Sequence, residues 1–310
     1  MKRTGKLLLL IGILLLIVIA ALIVRNQVLK NAKIPMDDTV SLLSFDPETV
    51  TLIGLSYDGE ENWFDRTDKG WVYPGDLDFP LNTQKLDAIL SNLADLQSSQ
   101  WIDQPEDPKE YGLDAPWCRI PVAAADQVLQ VAIGNETSIS GKRYASNGDG
   151  KVYVITNGQA NAFAFRLLEL VRPEQAPAVE QVDSVYLIGT PEELLIRHDE
   201  SGWFLISDKA PVAVDSQKMN DLLSGILTTV FTDCVAYKPD GETLHKLGMD
   251  GKLVIITMEY TTDDVPGIYQ LELSPDFQFG RRAGSDQFYQ LGSGLASLIY
   301  AFTSANLAVE

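Results

Sequence analysis

The sequence predicts an α+β protein, with an N-terminal transmembrane helix followed by two tandem repeats of a mainly antiparallel sheet packed with helices. Three observations predict it. Leu7 to Val24 is a run of eighteen residues without a charge. Downstream, one series of short motifs occurs twice in the same order. Within each series, apolar residues recur first with the period of a strand and then with that of a helix.

A helix from Leu7 to Val24 would be about 27 Å long at about 1.5 Å per residue, close to the thickness of a bilayer's hydrocarbon core. Lys2, Arg3 and Lys6 before it would also suit a cleaved signal peptide. The run is longer than a usual signal core, however, and Ile23-Val24-Arg25-Asn26 lacks the small residues of a cleavage site. An uncleaved anchor is the favoured reading and a cleaved signal the rival, and no cysteine stands near its end for a lipid anchor. Lys2, Arg3 and Lys6 on one side nearly balance Arg25, Lys30 and Lys33 on the other. The short tail ahead of a large domain favours a cytoplasmic N-terminus, with residues 34–310 outside.

The two motif series run in register. Lys69-Gly70-Trp71, Gln84-Lys85-Leu86, Tyr111-Gly112-Leu113-Asp114 and Val152-Tyr153-Val154-Ile155 make the first. Ser201-Gly202-Trp203, Gln217-Lys218-Met219, Leu247-Gly248-Met249-Asp250 and Phe288-Tyr289-Gln290-Leu291 make the second. Such duplication with small drift in spacing marks one fold used twice. Residues 1–33 form the tail, anchor and juxtamembrane segment, and 34–44 a stalk. The first unit is 45–172, a Pro-containing linker 173–181, and the second unit 182–310.

Each unit opens with a three-stranded meander. Val50 to Tyr57, Trp63 to Arg66 and Trp71 to Tyr73 form the first, and Val185 to Ile188, Leu194 to Arg197 and Trp203 to Ile206 the second, with Asp/Gly-rich turns between. A helix follows. Asn82 caps the first, with Leu86, Ile89, Leu90, Leu93 and Leu96 on one face, and Asp215 caps its counterpart, with Met219, Leu222, Leu223, Ile226, Leu227 and Val230 inward. More strands come next, at Val128 to Ile133 and Val152 to Ile155, then Leu253 to Tyr260, Tyr269 to Leu273 and Phe288 to Leu291. A second helix closes each unit, through Phe165, Leu168 and Val171 in one, and Leu295, Leu298, Ile299 and Phe302 in the other.

Charge narrows the partners. Six of the 24 basic residues precede position 34 and no acidic residue does, which leaves 18 basic against 43 acidic residues beyond, a net charge of −25. So acidic a domain repels nucleic acid and anionic lipid surfaces. Plain solubility explains the charge, and divalent cations or basic partners also fit it. Cys118 and Cys234 fall at non-equivalent positions, which leaves two readings: separate thiols, or one disulfide between the copies.

No pattern of residues points to chemistry, so the sequence offers no catalytic, cofactor-binding or metal-ligating residue and no cofactor. His198 sits in a turn and His245 in a polar loop, neither in a zinc-ligand spacing. Gly292-Ser293-Gly294 lacks the rest of a phosphate loop, and its counterpart is Thr156-Asn157-Gly158; a strand-to-helix turn accounts for both. Asn147-Gly148-Asp149-Gly150 lacks the ligand series of a calcium loop and reads as a hairpin. Asp76/Asp78 and Asp263/Asp264 are chance pairs among many carboxylates. Trp71 and Trp203, shared by both copies, read as core anchors of the meander, with stacking platforms for sugars as the rival. Trp63, Trp101 and Trp117 are unshared and better placed for exposed contacts. Gln84-Lys85 and Gln217-Lys218 read as solvated residues of a first helical turn.

The Gly-Trp strand end, the Asn/Asp-x-Gln-Lys-Leu/Met helix start, the Tyr/Leu-Gly-Leu/Met-Asp turn, Ile133-Gly134-Asn135 and Arg143-Tyr144-Ala145 together resemble the DUF4340 family of bacterial membrane-anchored proteins. The second copy departs from that pattern, with Leu273-Ser274-Pro275 and Arg282-Ala283 in the later positions. The resemblance covers most of 45–303 and implies no catalytic residue. It implies an accessory role beside ABC-transporter components of the gliding-motility type. The expected protein is a membrane-tethered extracytoplasmic scaffold or accessory subunit, and the alternative is an exported module binding wall glycan or divalent cations. The expected partners are the bilayer, through Leu7 to Val24, and a membrane protein of an ABC-transporter-like complex, with no nucleic acid.

Overall fold

The structure is a computed structural model that describes residues 39–138, 141–208, 210–228, 231 and 233–307. The expected transmembrane helix from Leu7 to Val24 lies outside them. Among the described residues no helix is long and apolar enough to cross a membrane. The chain divides into two compact units. One runs to Phe79 and resumes over Thr83–Arg166, and the other takes Pro80–Asn82 and everything from Leu167 onward.

The first unit holds β1 (Val40–Ser41), β2 (Val50–Tyr57), β3 (Glu60–Thr67), β4 (Gly70–Val72), β5 (Gln97–Ser98), β6 (Trp101–Ile102), β7 (Cys118–Ala124), β8 (Gln127–Glu136), β9 (Lys142–Ser146) and β10 (Val152–Thr156). β2 turns into β3 through Asp58-Gly59 alone, both at positive φ, the turn whose twist matches that of a hairpin. The expected wider turn through Asn62 is therefore shorter, and Asn62 is a buried strand residue. The main sheet runs β4-β3-β2-β7-β8-β9-β10-β6, and each neighbouring pair is antiparallel. Ile53, Leu55, Phe64, Ile120, Val122 and Ile133 are buried, as are Leu86, Ile89, Leu90 and Leu93 of the Thr83–Ala94 helix. The end of the stalk belongs to this unit. Val40 and Ser41 pair with β5, Leu42 and Leu43 are buried, and Asn147 donates to the Leu42 carbonyl at 2.6 Å.

The second unit holds β11 (Gln181–Ile188), β12 (Leu194–Asp199), β13 (Gly202–Ile206), β14 (Val212–Ala213), β15 (Cys234–Tyr237), β16 (Val254–Thr262), β17 (Val265–Leu273), β18 (Phe279–Arg282) and β19 (Gln287–Gln290). Its sheet runs β14-β13-β12-β11-β16-β17-β18-β19-β15. Apart from the extra edge strand β14, this is the order of the first sheet. The core gathers Val185, Ile196, Ile256, Leu271 and Tyr289 with Met219, Leu222 and Ile226 of the Ser216–Leu227 helix and Ile299 of the Ser293–Ala301 helix. Asp215 caps the first of these helices, accepting from the Gln217 and Lys218 amides. The two helices meet at Gly225, where a side chain would run into Leu298 at 2.3 Å. The stretch after Pro173 is packed, with Glu174 bonded to Ser285, Ala178 accepting from Thr262, and Ala176 and Val179 against the core.

One expected helix is corrected. No helix runs through Phe165, Leu168 and Val171. A five-residue helix spans Asn157–Asn161, held by a Thr156–Gln159 capping box, and a 3-10 turn spans Leu167–Leu170. The three apolar residues recur at intervals of three, which suits the three-residue turn of a 3-10 helix rather than 3.6. The matching helix of the second unit, Ser293–Ala301, forms as expected.

Candidate functional site

The family-like motifs of the first unit converge on one corner. Gly112 ends the 3-10 turn Pro108–Tyr111 in a left-handed conformation, φ 70°. Gly134 lies so close that a Cβ there would stand 2.1 Å from the Tyr111 carbonyl oxygen. Arg143 donates to the Gly134 carbonyl at 3.1 Å and to Glu136 at 3.1 Å, and its guanidinium lies 3.9 Å from the Trp117 ring centroid. Tyr144 meets Tyr111 edge to face at 4.9 Å. The three motifs thus tie the turn after β6 to β8 and β9, which makes them structural.

The second unit rebuilds this corner with different residues. Gly248, φ 65°, follows the helix Gly241–Lys246, and buried Ser274 stands where the first unit has Gly134. Arg281 of β18 pairs across the ladder with Glu272 of β17 at 2.6 Å, and its guanidinium lies 4.8 Å from the Phe288 ring. Arg143 and Glu136 are also a cross-strand pair, of β9 and β8, but at a different point of the ladder. In strand register Arg281, opposite Glu272, takes the place that Ser146, opposite Ala132, has in the first unit, so neither Arg281 nor the expected Arg282 is the counterpart of Arg143.

On the face of the first sheet opposite buried Cys118, Ile120 and Val122 lies a groove of about 600 Å³. Strand pairing explains it. Ser56, Arg119, Ala132 and Ser146 form one row across β2, β7, β8 and β9, so small side chains flank the arginine. Pro108 and Leu113 contribute from one side and Gly148 and Gly150 from another. At its edge Asp103 pairs with Lys151 at 3.4 Å and accepts from the Trp101 indole at 3.0 Å. Gln130, opposite Pro121, shares the face with Arg119. No sequence motif marks Arg119 or Gln130, because these two come together only through strand register.

The other candidates resolve one by one. Trp71 and Trp203 are 5% and 8% exposed, and the Trp71 indole donates to Asp87 of the adjacent helix at 2.9 Å. Each is also covered by the residue opposite it, Arg66 at 5.4 Å and His198 at 4.7 Å. His198 therefore lies in a strand rather than a turn. Of the three unshared tryptophans only Trp63, at 38%, is classed as exposed. Trp117 is partly covered by Arg143 and Tyr57, and Trp101 is half-buried. Lys85 and Lys218 are engaged rather than merely solvated. Lys85 lies 4.1 Å from the Phe165 ring, and Lys218 donates to the Asn306 carbonyl.

His245 lies in the Gly241–Lys246 helix and contacts Asp250 at 2.9 Å on the surface. Cys118 and Cys234 are free thiols, so the disulfide reading falls away. Burial pushes Cys118 up to about 12 and Cys234 up to about 11. Asn147 to Gly150 form the β9–β10 hairpin, where Asp149 accepts from the Lys151 amide and the Tyr153 hydroxyl. Gly292 to Gly294 and Thr156 to Gly158 are strand-to-helix turns. Asp76 accepts from the Asp78 amide, and Asp263-Asp264 form the β16–β17 turn at positive φ. Among the described residues no three His, Cys, Asp or Glu side chains stand together as a metal site would need.

The profile of one family matches the chain, described as a domain of unknown function, DUF4340, over residues 20–116 and 71–250. These stretches together cover well over half of the 310 residues. No curated protein and no solved structure matches it.

Proposed function

The chain belongs to the DUF4340 family, and from that premise we propose that it is a membrane-tethered extracytoplasmic scaffold, an accessory subunit of an ABC-type transport complex. In this reading Leu7 to Val24 spans the bilayer, the N-terminus is cytoplasmic, and residues 34–310 lie outside, a short stalk followed by two tandem copies of one α+β unit at 45–172 and 182–310. The observation that carries it is the recurrence of one strand order in both sheets. Alongside it, the residues common to both copies serve the fold. Trp71 and Trp203 anchor the meanders, Gly112 and Gly248 end turns, and Lys85 and Lys218 hold the closing segments. A fold repeated with its framework intact and its surfaces changed suits presentation of surfaces to a partner. Purification of the full chain from mild detergent tests it. An ABC-type membrane protein should co-elute in stoichiometric amount, and a chain recovered alone sinks the proposal.

The groove beside Arg119 favours a second reading, an exported ligand-binding module. Its volume falls within the range of small-molecule sites, about 300–1,000 Å³. Titration calorimetry with glycan fragments and with calcium tests this reading, which heat-silent titrations of all of them would remove.

A further inference from the structure

The groove on the first sheet carries an uncommitted arginine in a strongly acidic chain. Two cations line it, and one of them, Lys151, is paired with Asp103. The other is Arg119, which among the described residues has no hydrogen bond and no ion pair. The other described arginines of the unit are engaged. Arg66 pairs with Glu48, Arg143 with Glu136, and Arg166 approaches Asp58 at 3.9 Å. With 43 acidic residues in the chain, carboxylates are not scarce, yet none among the described residues pairs with Arg119.

The surroundings select the ligand's charge. Asp103 is the one carboxylate that lines the groove, and it is already held by Lys151 and the Trp101 indole. A divalent cation would find no free oxygen ligand of that kind, whereas an anion finds a planar fork of donors. Gln130 stands diagonally across the β7–β8 ladder on the same face, within reach of the same ligand. Ser56 and Ala132, the neighbours of Arg119 in its row, are small enough to leave the guanidinium approachable.

We propose that this groove binds a small carboxylate-bearing ligand, with Arg119 holding the carboxylate in a forked pair of hydrogen bonds and Gln130 bonding the adjoining polar group. The inference rests on the ligand-binding reading and specifies its chemistry. Two sources share that chemistry, an acidic amino sugar and the free end of a short peptide.

Calorimetry on the full-length protein in mild detergent distinguishes them. The probes are N-acetylmuramic acid and N-acetyl-D-alanyl-D-alanine, each beside a neutral counterpart, N-acetylglucosamine and the dipeptide amide. At least one acid should bind saturably and its neutral counterpart should not. R119Q should weaken that binding about 10- to 100-fold, as expected for a lost charged hydrogen bond. R119K should fall between, because a lysine keeps the charge but not the fork. Since Arg119 is exposed, thermal melting should be the same in all three proteins. Equal binding of acid and neutral probes, or wild-type affinity in R119Q, overturns the proposal. Binding of calcium or neutral sugar alone also overturns it while sparing the ligand-binding reading, and silence from every probe ends both.

Discussion

Arg143 faces Glu136 across β9 and β8 at 3.1 Å while its guanidinium covers Trp117, and Arg281, at another point of the second sheet, pairs with Glu272 beside Phe288. Arg143 also holds the Gly134 carbonyl, so its removal leaves an acceptor and an aromatic face uncovered together. Arg143→Ala should destabilise the protein by about 1–3 kcal/mol. Glu136 is mostly exposed, so Glu136→Ala should cost under about 1 kcal/mol. Denaturant midpoints of the two variants check this, and equal losses would contradict it.

Gly134 and Gly158 separate a packed glycine from a free one. An added Cβ at 134 meets the Tyr111 backbone oxygen at 2.1 Å, a clash that no side-chain rotation relieves. Gly134→Ala should cost about 3 kcal/mol or more. At Gly158, in the Asn157–Asn161 helix, the nearest atom is 3.8 Å away. Gly158→Ala there should be neutral or stabilising by up to about 1 kcal/mol. Thermal melts of both variants read the contrast.

The Trp71 indole bond to Asp87 can be split from its burial. Trp71→Phe keeps most of the apolar contact but leaves Asp87 without that donor, and should cost about 1 kcal/mol beyond the lost volume. Trp71→Ala should cost about 3–5 kcal/mol. In the double variant Trp71→Phe/Asp87→Ala the two losses should be less than additive, which a double-mutant cycle measures.

Burial of Cys118 predicts the direction of its pH dependence. Its thiol is raised from 9.0 to about 12 in the folded protein. Below pH 9 both states keep the proton and its contribution is constant. Above pH 9 the unfolded chain releases the proton and the folded one does not, so stability falls as pH rises toward 12. The slope is at most on the order of 1 kcal/mol per pH unit. Cys118→Ala should flatten the alkaline limb of denaturation midpoints. In the native protein at pH 8, thiol labelling of Cys118 should be far slower than after unfolding.

Much of the fold is legible in the residues. Val50–Tyr57 can be read end to end from its apolar content and the Asp58-Gly59 turn, and the Asp215 cap from its place before an apolar helical face. β7 escapes such reading because Arg119, Pro121 and two alanines dilute its apolar pattern, and only pairing on both sides makes it a central strand. β9 and β18 are too short and polar to signal themselves. The groove is less legible still. Arg119 and Gln130 are unremarkable as single residues, and their adjacency follows from a ladder register that no local pattern encodes.

The middle of each sheet joins stretches of chain made far apart in time. Val50 pairs with Ala124 and Val185 with Met258, and the meander and a helix lie in between. On a ribosome, β2 and β11 therefore emerge well before the strands that cover their inner edges. Until then each presents unpaired amides and carbonyls to any neighbouring chain. A nascent chain stalled before β7 is thus poised for wrong partners, and closing so long a loop makes correct pairing slow.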